Sequence, residues 1–124
     1  MKVLIVEDSI FVQKMMRKLI ADHFPESEIQ TANNGEEGYH QYLEFKPDFI
    51  TTDLLMPNLS GQEMLRMIRE IDREVRIIIL SADIQKVTRE EVENLGISGF
   101  LNKPLTVEKA NTLIQMIQVA HHAD

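Results

Sequence analysis

Short runs of apolar residues alternate along the chain with longer segments in which apolar residues recur every three or four positions. A nearly continuous short run is typical of a strand buried on both faces, and the wider spacing is typical of an amphipathic helix. Such runs predict four strands, at residues 2–6, 49–52, 76–80 and 98–101, and the short, partly polar segment 28–32 is predicted to be a fifth. The spaced segments predict helices at about residues 10–23, 36–45, 62–71 and 107–120. A further helix is predicted at about residues 84–95, where apolar residues are sparse, so we expect it to be well exposed.

Several helix ends are marked by residues with strong terminal preferences. Ser9 and Thr106 are favourable N-caps because a side-chain hydroxyl accepts a hydrogen bond from a free backbone N–H. Glycine is common directly after the last residue of a helix, so Gly96 predicts the end of the fourth helix. Gly38 lies inside the second helix, where glycine costs about 1 kcal/mol relative to alanine.

Two helices carry a clear apolar stripe, which predicts their buried faces. The third helix is expected to bury Met64, Leu65, Ile68 and Ile71. The last helix is expected to bury Val107, Ala110, Leu113, Ile114 and Ile117. Ile10 lies opposite the apolar stripe of the first helix, and Phe11 lies beside that stripe. Such residues are either docking contacts or isolated exposed side chains, and both interpretations stay open.

The regular alternation of strands and helices predicts the α/β class, with a parallel sheet covered by helices on both faces. Right-handed crossovers leave few topologies. The strand order 2-1-3-4-5 places the polar strand 28–32 and the short strand 98–101 at the two edges. A length of 124 residues suits one domain, 1–124.

Composition excludes several classes of function. The formal net charge of −7 argues against a nucleic-acid surface, which needs clustered lysine and arginine. The chain has no apolar run of transmembrane length and begins directly with a strand, so we expect no membrane insertion and no signal peptide. The absence of cysteine excludes disulfides and cysteine-based zinc sites. We therefore expect a cytoplasmic protein.

Polar residues follow four of the predicted strands. Glu7 and Asp8 follow the first, Asp53 the third, Ser81 the fourth and Lys103 the fifth. The carboxyl ends of parallel strands meet at one edge of a sheet, where open α/β folds bind their ligands. We therefore expect three carboxylates, one hydroxyl and one ammonium group to lie close together.

This combination predicts phosphoryl transfer. Carboxylates at close range need a cation, and a site with few carboxylates suits Mg²⁺. Lys103 supplies fixed positive charge and Ser81 a hydrogen-bond donor for phosphoryl oxygens, with Asp53 as the nucleophile that forms an aspartyl phosphate. Taken singly, each residue has an ordinary interpretation as a helix-terminal charge, a cap or part of a turn.

The chain resembles the CheY-like receiver domains of two-component response regulators over essentially its whole length. The resemblance rests on the acidic pair Glu7-Asp8, on Asp53 before Met56-Pro57 and Gly61, on Ser81, and on Phe100 before Lys103-Pro104. It implies a flavodoxin-like fold and Asp53 as the acceptor of a phosphoryl group from a histidine kinase or phosphotransfer protein.

The resemblance also implies a metal site and a switch. Asp8, Asp53 and the carbonyl of Leu55 would bind Mg²⁺ directly, with Glu7 acting through water. Lys103 would pair with the phosphoryl group, and its bond to Pro104 is typically cis in this family.

Ser81 would move toward the phosphate and Phe100 would follow it inward, which changes the surface of the fourth helix, last strand and last helix. Leu55 and Asp83 occupy positions that tune phosphate lifetime in the family.

We therefore expect a signalling switch that modifies only itself and binds a downstream target or phosphatase. The alternatives are a receiver domain of a longer regulator, a Mg²⁺-dependent phosphatase for small substrates, and a phosphate-independent interaction module. The chain has no long loop to enclose a substrate, which argues against the phosphatase. We expect a monomer or weak dimer. A dimer face on the fourth helix would use four charged residues, which more simply form a solvated surface. These are Lys86, Arg89, Glu90 and Glu91.

Overall fold

Five parallel strands form one sheet with helices packed on both of its faces. The computed structural model describes residues 1–54, 56, 58–82 and 89–122, apart from the side chains of Arg89, Val92, His121 and His122. In this part of the chain the elements are, in order, β1 (Lys2–Val6), α1 (Ile10–His23), β2 (Glu28–Ala32), α2 (Gly35–Phe45), β3 (Phe49–Thr52), α3 (Gly61–Ile71), β4 (Arg76–Ser81), α4 (Arg89–Leu95), β5 (Gly99–Asn102) and α5 (Val107–His122).

The sheet has the order β2-β1-β3-β4-β5, and every pair of neighbouring strands is parallel. The predicted α/β class and strand order are confirmed. The central strands β1, β3 and β4 are buried almost throughout, whereas β2 and β5 alternate between more and less exposed positions. The two strands predicted at the edges therefore lie there.

Alternate side chains of the central strands enter two separate cores, because successive residues of a strand point to opposite faces. One core packs Leu4, Val6, Ile50, Ile77 and Ile79 against α2, α3 and Leu95 of α4. The other packs Val3, Ile5, Phe49, Ile78 and Leu80 against α1 and α5. The two cores therefore cover both faces of the sheet beneath its carboxyl edge.

The predicted helix ends agree with the hydrogen bonds at those ends. The Ser9 hydroxyl accepts from the backbone N–H of Val12 at 3.3 Å, and the Thr106 hydroxyl accepts from that of Lys109 at 3.2 Å. Gly96 follows α4 with a φ of 62°. Residues 84–88 of the predicted fourth helix lie outside the described part of the chain. Among the helices described, none is long and apolar enough to cross a membrane.

Two of the predicted core positions are wrong. Ile71 is 60% exposed and Val107 is 81% exposed. Ile71 is the last residue of α3 and Val107 the first of α5, so each occupies a helix end rather than the face over the sheet. The fully buried face of α5 begins only at Leu113.

Gly38 allows α2 to pack closely on the sheet. A Cβ atom at this position would lie 2.7 Å from the sulfur of Met64 and 3.0 Å from both γ-carbons of Val6. The helix-propensity cost of this glycine is therefore offset by the close packing of α2 against β1 and α3.

A stripe of polar side chains on α3 holds α4. Gln62 donates to the Glu91 carboxylate at 2.8 Å, and Arg66 lies 3.6 Å from the same group. One turn further on, Arg69 donates to the carbonyls of Leu95 at 2.6 Å and Gly96 at 3.3 Å. The guanidinium of Arg69 thereby binds free carbonyls at the carboxyl end of α4, which helix geometry leaves without partners.

Asp72, directly after α3, accepts three hydrogen bonds. The donors are the Tyr42 hydroxyl at 2.8 Å and the backbone N–H groups of Glu74 at 2.8 Å and Val75 at 3.1 Å. Burial raises the pKa of the Asp72 carboxyl, but these hydrogen bonds and the nearby Arg69 outweigh burial and lower the pKa below its ordinary value of 3.8.

Replacing Asp72 by asparagine should lower the free energy of unfolding near neutral pH and have little effect in acid. A carboxyl whose pKa is lowered by folding stabilises the protein above its unfolded pKa, and this contribution disappears as the pH falls through the folded pKa. Urea unfolding at about pH 7 and about pH 3 measures the difference. The exposed Asp22, paired with Lys18 at 3.0 Å, supplies the control D22N. An equal loss of the free energy of unfolding at both pH values would contradict a lowered pKa for Asp72 in the folded protein.

Candidate functional site

The carboxyl edge of the sheet brings together the polar residues that follow β1, β3 and β5 and the serine that ends β4. Val6 and Thr52 are paired, and the N–H of Asp53 donates to the carbonyl of Val6 at 3.1 Å. The N–H of Lys103 likewise donates to the carbonyl of Ser81 at 3.0 Å. The hydrogen bonds between neighbouring strands therefore continue to Asp53 and Lys103, the first residues after β3 and β5. These bonds fix the backbone that carries the two side chains.

Asp53 lies at the centre of the group. Its Oδ1 accepts from the Ser81 hydroxyl at 2.8 Å, and its Oδ2 accepts from the Lys103 ammonium at 2.8 Å. Lys103 also lies 2.5 Å from Oε1 of Glu7. Asp53, Ser81 and Glu7 are buried, with 6%, 0% and 2% of their surface exposed. Lys103 thus bridges the carboxylates that follow β1 and β3.

The three carboxylates fit a small divalent cation. Glu7, Asp8 and Asp53 each offer an oxygen within 4.8 Å of the others. Asp8 is exposed, so the cluster opens to solvent on one side. Three carboxylates face one ammonium group, which leaves excess negative charge, and oxygen ligands of this kind suit Mg²⁺.

The ionisation of Glu7 and Lys103 reflects this crowding. Burial raises the pKa of the Glu7 carboxyl, and a hydrogen bond shared with Asp8 raises it further, while Lys103 and the N–H of Ser9 oppose the change. Burial lowers the pKa of Lys103, but its hydrogen bonds to Asp53 and Glu7 outweigh burial and raise it. Lys103 is therefore held in its charged form.

Gly61, the first residue of α3, lets the loop after β3 fold tightly against Asp53. Its N–H donates to the carbonyl of Leu54 at 3.2 Å. A Cβ atom on Gly61 would lie 2.0 Å from the backbone oxygen of Asp53. A larger residue at position 61 would displace the backbone that carries the Asp53 carboxylate.

The remaining predicted features of the site are Phe100, the peptide bond before Pro104, Leu55 and Asp83. Phe100 lies on β5 with 46% of its surface exposed and is not part of the Asp53 cluster. The peptide bond between Lys103 and Pro104 is cis. Leu55, the predicted carbonyl ligand, and Asp83 lie outside the described residues.

An apolar groove of about 570 Å³ flanks Lys103. It is lined by Phe11, Val12, Met15, Leu80, Ala82, Lys103, Pro104 and Leu105. Phe11 is 75% exposed at its rim, and the neighbouring Ile10 is 54% exposed. One side of Lys103 is therefore bordered by apolar surface.

Gln13 was missed by sequence reasoning. It lies on α1 and is only 7% exposed, and its side-chain amide donates to the carbonyl of Glu7 and, at 2.8 Å, to Oδ1 of Asn33. The sequence gives only a weak signal for this role. Gln13 is an amide residue directly after Val12, and Val12 lies on the apolar stripe of α1.

Comparison with known proteins identifies similar chains. The family model described as "Response regulator receiver domain" matches residues 3–118. The chemotaxis protein CheY of Thermotoga maritima is 35% identical over 103 residues, which are 83% of this chain and 85% of that protein.

Solved structures agree with this match. The response regulator domain of Thermotoga maritima CheB is 30% identical, with a TM-score of 0.84 over 100% of this chain and 98% of that one. A chain of the CheX–CheY–BeF3–Mg+2 complex from Borrelia burgdorferi is 28% identical, with a TM-score of 0.84 over 97% of this chain and 88% of that one.

Proposed function

The chain belongs to the response regulator receiver family, and we propose that it is a phosphorelay switch in which Asp53 accepts the phosphoryl group. The observation that carries this proposal is the environment of Asp53. Its buried carboxylate lies at the end of β3, receives hydrogen bonds from Ser81 and Lys103, and faces Glu7 and Asp8. We also propose that residues 1–124 form one receiver domain.

The chemistry is a displacement at phosphorus. An oxygen of Asp53 forms the new bond to phosphorus, and the bond from phosphorus to the donor atom breaks, with its electron pair leaving on the donor. Mg²⁺ held by Glu7, Asp8 and Asp53 would neutralise negative charge on the carboxylates and the phosphoryl oxygens. Lys103 is already fixed beside Asp53 and supplies positive charge without reorganisation.

Both oxygens of Asp53 are already hydrogen-bonded, and this supports a switch. When one of these oxygens bonds to phosphorus, the donor on that oxygen loses a charged carboxylate partner, and the more highly charged phosphoryl oxygens become available to Ser81 and Lys103. Ser81 ends β4 and Lys103 follows β5, and the two strands are paired through Ser81 and Asn102. The new charge therefore acts on the ends of both strands.

We propose that this change reaches partners through the surface of α4, β5 and α5. Phe100 on β5 and Val107 and Val119 on α5 are large apolar residues exposed by 46%, 81% and 71%. Inward movement of Phe100 would alter this surface. The resemblance to chemotaxis CheY proteins supports a role in chemotaxis-type signalling, with a histidine kinase or phosphotransfer protein as donor.

Phosphorylation by a small donor tests whether Asp53 is the phosphoacceptor. Incubation with Mg²⁺ and acetyl phosphate should add one phosphoryl group to the wild-type chain, and Asp53→Asn should abolish the adduct. Intact mass spectrometry measures both. Asp48→Asn is the matched control, since Asp48 precedes the same strand at the opposite edge and bonds the N–H of Lys2 at 2.8 Å. This control should be modified like the wild type.

Failure of several small donors to modify a folded protein that binds Mg²⁺ would overturn the phosphoacceptor assignment. The phosphate-independent interaction module would then be the better interpretation. An adduct that persists in Asp53→Asn would instead place the modification on another residue.

A further inference from the structure

Gln13 holds the backbone on both sides of Asp8. Its side-chain amide donates to the carbonyl of Glu7, and its backbone N–H donates to the carbonyl of Ser9 at 2.9 Å. These carbonyls belong to the residues directly before and after Asp8. A single residue of α1 therefore restrains the segment that carries the acidic pair.

The Gln13 side chain also connects the segment around Asp8 to the loop after β2, at the same edge of the sheet. Nε2 of Gln13 donates to Oδ1 of Asn33 at 2.8 Å and lies 3.4 Å from the carbonyl of Ala32. That carbonyl also accepts from the N–H of Glu7 at 2.9 Å. Asn33 in turn lies 3.4 Å from both carboxylate oxygens of Glu37 on α2.

The restraint matters because the acidic pair is electrostatically unfavourable without a cation. Glu7 is buried, and it, Asp8 and Asp53 each offer a carboxylate oxygen within 4.8 Å of the others, a distance at which like charges repel one another. Asp8 is exposed, so few side-chain contacts restrain its carboxylate. The position of its Cβ atom is set by the backbone, and a fixed backbone at Glu7 therefore limits how far the Asp8 carboxylate can move from the cluster.

We propose that Gln13 is a positioning residue for the metal-binding carboxylates Glu7 and Asp8. This inference rests on the proposed function, since it assumes that the cluster binds Mg²⁺. Gln13 is not one of the carboxylates that would hold the cation. Its side-chain amide acts through the carbonyl of Glu7, in the peptide unit that joins Glu7 to Asp8, and its burial, at 7% exposed, keeps water from competing for this carbonyl. The bond from its backbone N–H to Ser9 is an ordinary helical hydrogen bond, which a substitution of the side chain leaves in place.

Gln13→Met removes the amide but keeps the length of the side chain. Residues that orient metal ligands through hydrogen bonds typically change metal affinity 10–100-fold when replaced, and we expect Mg²⁺ to bind about 10-fold more weakly. Amide NMR titration with MgCl2 and no phosphodonor measures this affinity in the folded protein. Phosphorylation by acetyl phosphate should need correspondingly more Mg²⁺ for half its maximal rate, while the rate at saturating Mg²⁺ changes little.

Ile20→Val is the matched control on the same helix. Ile20 is fully buried two turns from Gln13, so the variant weakens the packing of α1 without touching the acidic pair. Its Mg²⁺ affinity should equal that of the wild type. Asn33→Ala provides a second test at an exposed position, because it removes one acceptor of the Gln13 amide; it should weaken Mg²⁺ binding less than Gln13→Met does.

The outcomes separate the two proposals. Weaker Mg²⁺ binding in Gln13→Met, with Ile20→Val unchanged, supports the positioning role. Wild-type affinity in both Gln13→Met and Asn33→Ala overturns it while the switch function stands; if Gln13→Met does not fold, Asn33→Ala decides. A wild-type chain that neither binds Mg²⁺ nor forms the adduct overturns the proposed function itself.

Discussion

Replacing Lys103 by methionine should slow the phosphorylation of Asp53 by about 100-fold or more, the usual effect of removing one preorganised group from developing charge. The ammonium of Lys103 lies 2.8 Å from Asp53 and 2.5 Å from Glu7, and only 20% of its side chain is exposed. Methionine retains most of the volume but no charge. The rate at saturating Mg²⁺ and acetyl phosphate, followed by intact mass, measures the loss.

The same variant should bind Mg²⁺ more tightly than the wild type. Lys103 neutralises part of the charge on Glu7 and Asp53, and its removal leaves three carboxylates without their cationic partner. A slower reaction combined with tighter metal binding would distinguish loss of a phosphoryl-binding charge from general damage to the site.

Lys109→Met is the matched control for Lys103→Met. Lys109 lies in the first turn of α5 and donates to the carbonyl of Asn102 at 2.8 Å, close to the same edge of the sheet. Its replacement should leave both the phosphorylation rate and Mg²⁺ affinity unchanged. A Lys103→Met protein that is phosphorylated as fast as Lys109→Met would contradict the role assigned to Lys103.

Replacing Arg69 by methionine should lower the free energy of unfolding by about 2–4 kcal/mol, the range expected when a buried charged donor leaves several carbonyls without partners. Arg69 is 6% exposed and donates to the carbonyls of Leu95, Gly96 and Asp72 at 2.6, 3.3 and 3.0 Å. Urea unfolding measures the loss. Amide hydrogen exchange at Leu95 and Gly96 should accelerate as well, because the carboxyl end of α4 loses its attachment.

Arg73→Met tests whether the burial of Arg69 is the reason for the large loss of stability expected in Arg69→Met. Arg73 also points from the end of α3 to α4 and donates to the carbonyl of Asn94 at 3.0 Å, but it is exposed. Water can replace that hydrogen bond, so the expected cost is at most about 0.5 kcal/mol. Equal destabilisation by the two variants would show that the buried contacts of Arg69 contribute nothing beyond an exposed hydrogen bond.

The fold was predictable because its signals are local. Strands β1, β3, β4 and β5 are marked by short apolar runs, and α1, α3 and α5 by apolar residues at helical spacing, whereas β2 is partly polar and α4 has few apolar residues. Helix ends are marked by residues such as Ser9, Gly96 and Thr106, whose preferences depend on their own backbone and nearest neighbours.

The assembly of the candidate site was predictable for a related reason. Once the strands are parallel, their carboxyl ends must share one edge, so residues distant in the sequence are brought together by topology alone. The polar residues at the ends of these strands do lie together there, namely Glu7, Asp8, Asp53, Ser81 and Lys103.

The buried polar contacts could not be predicted in this way. Gln13 and Arg69 bind backbone carbonyls, and in the case of Arg69 and Leu95 the two residues are 26 positions apart. Every residue has a carbonyl, so no side-chain pattern shows which one will lie beside a given donor. Ile71 and Val107 were misplaced because helical spacing predicts a face of a helix but not how far the helix extends over the sheet. These features depend on where separate elements meet, and only the packed structure shows that.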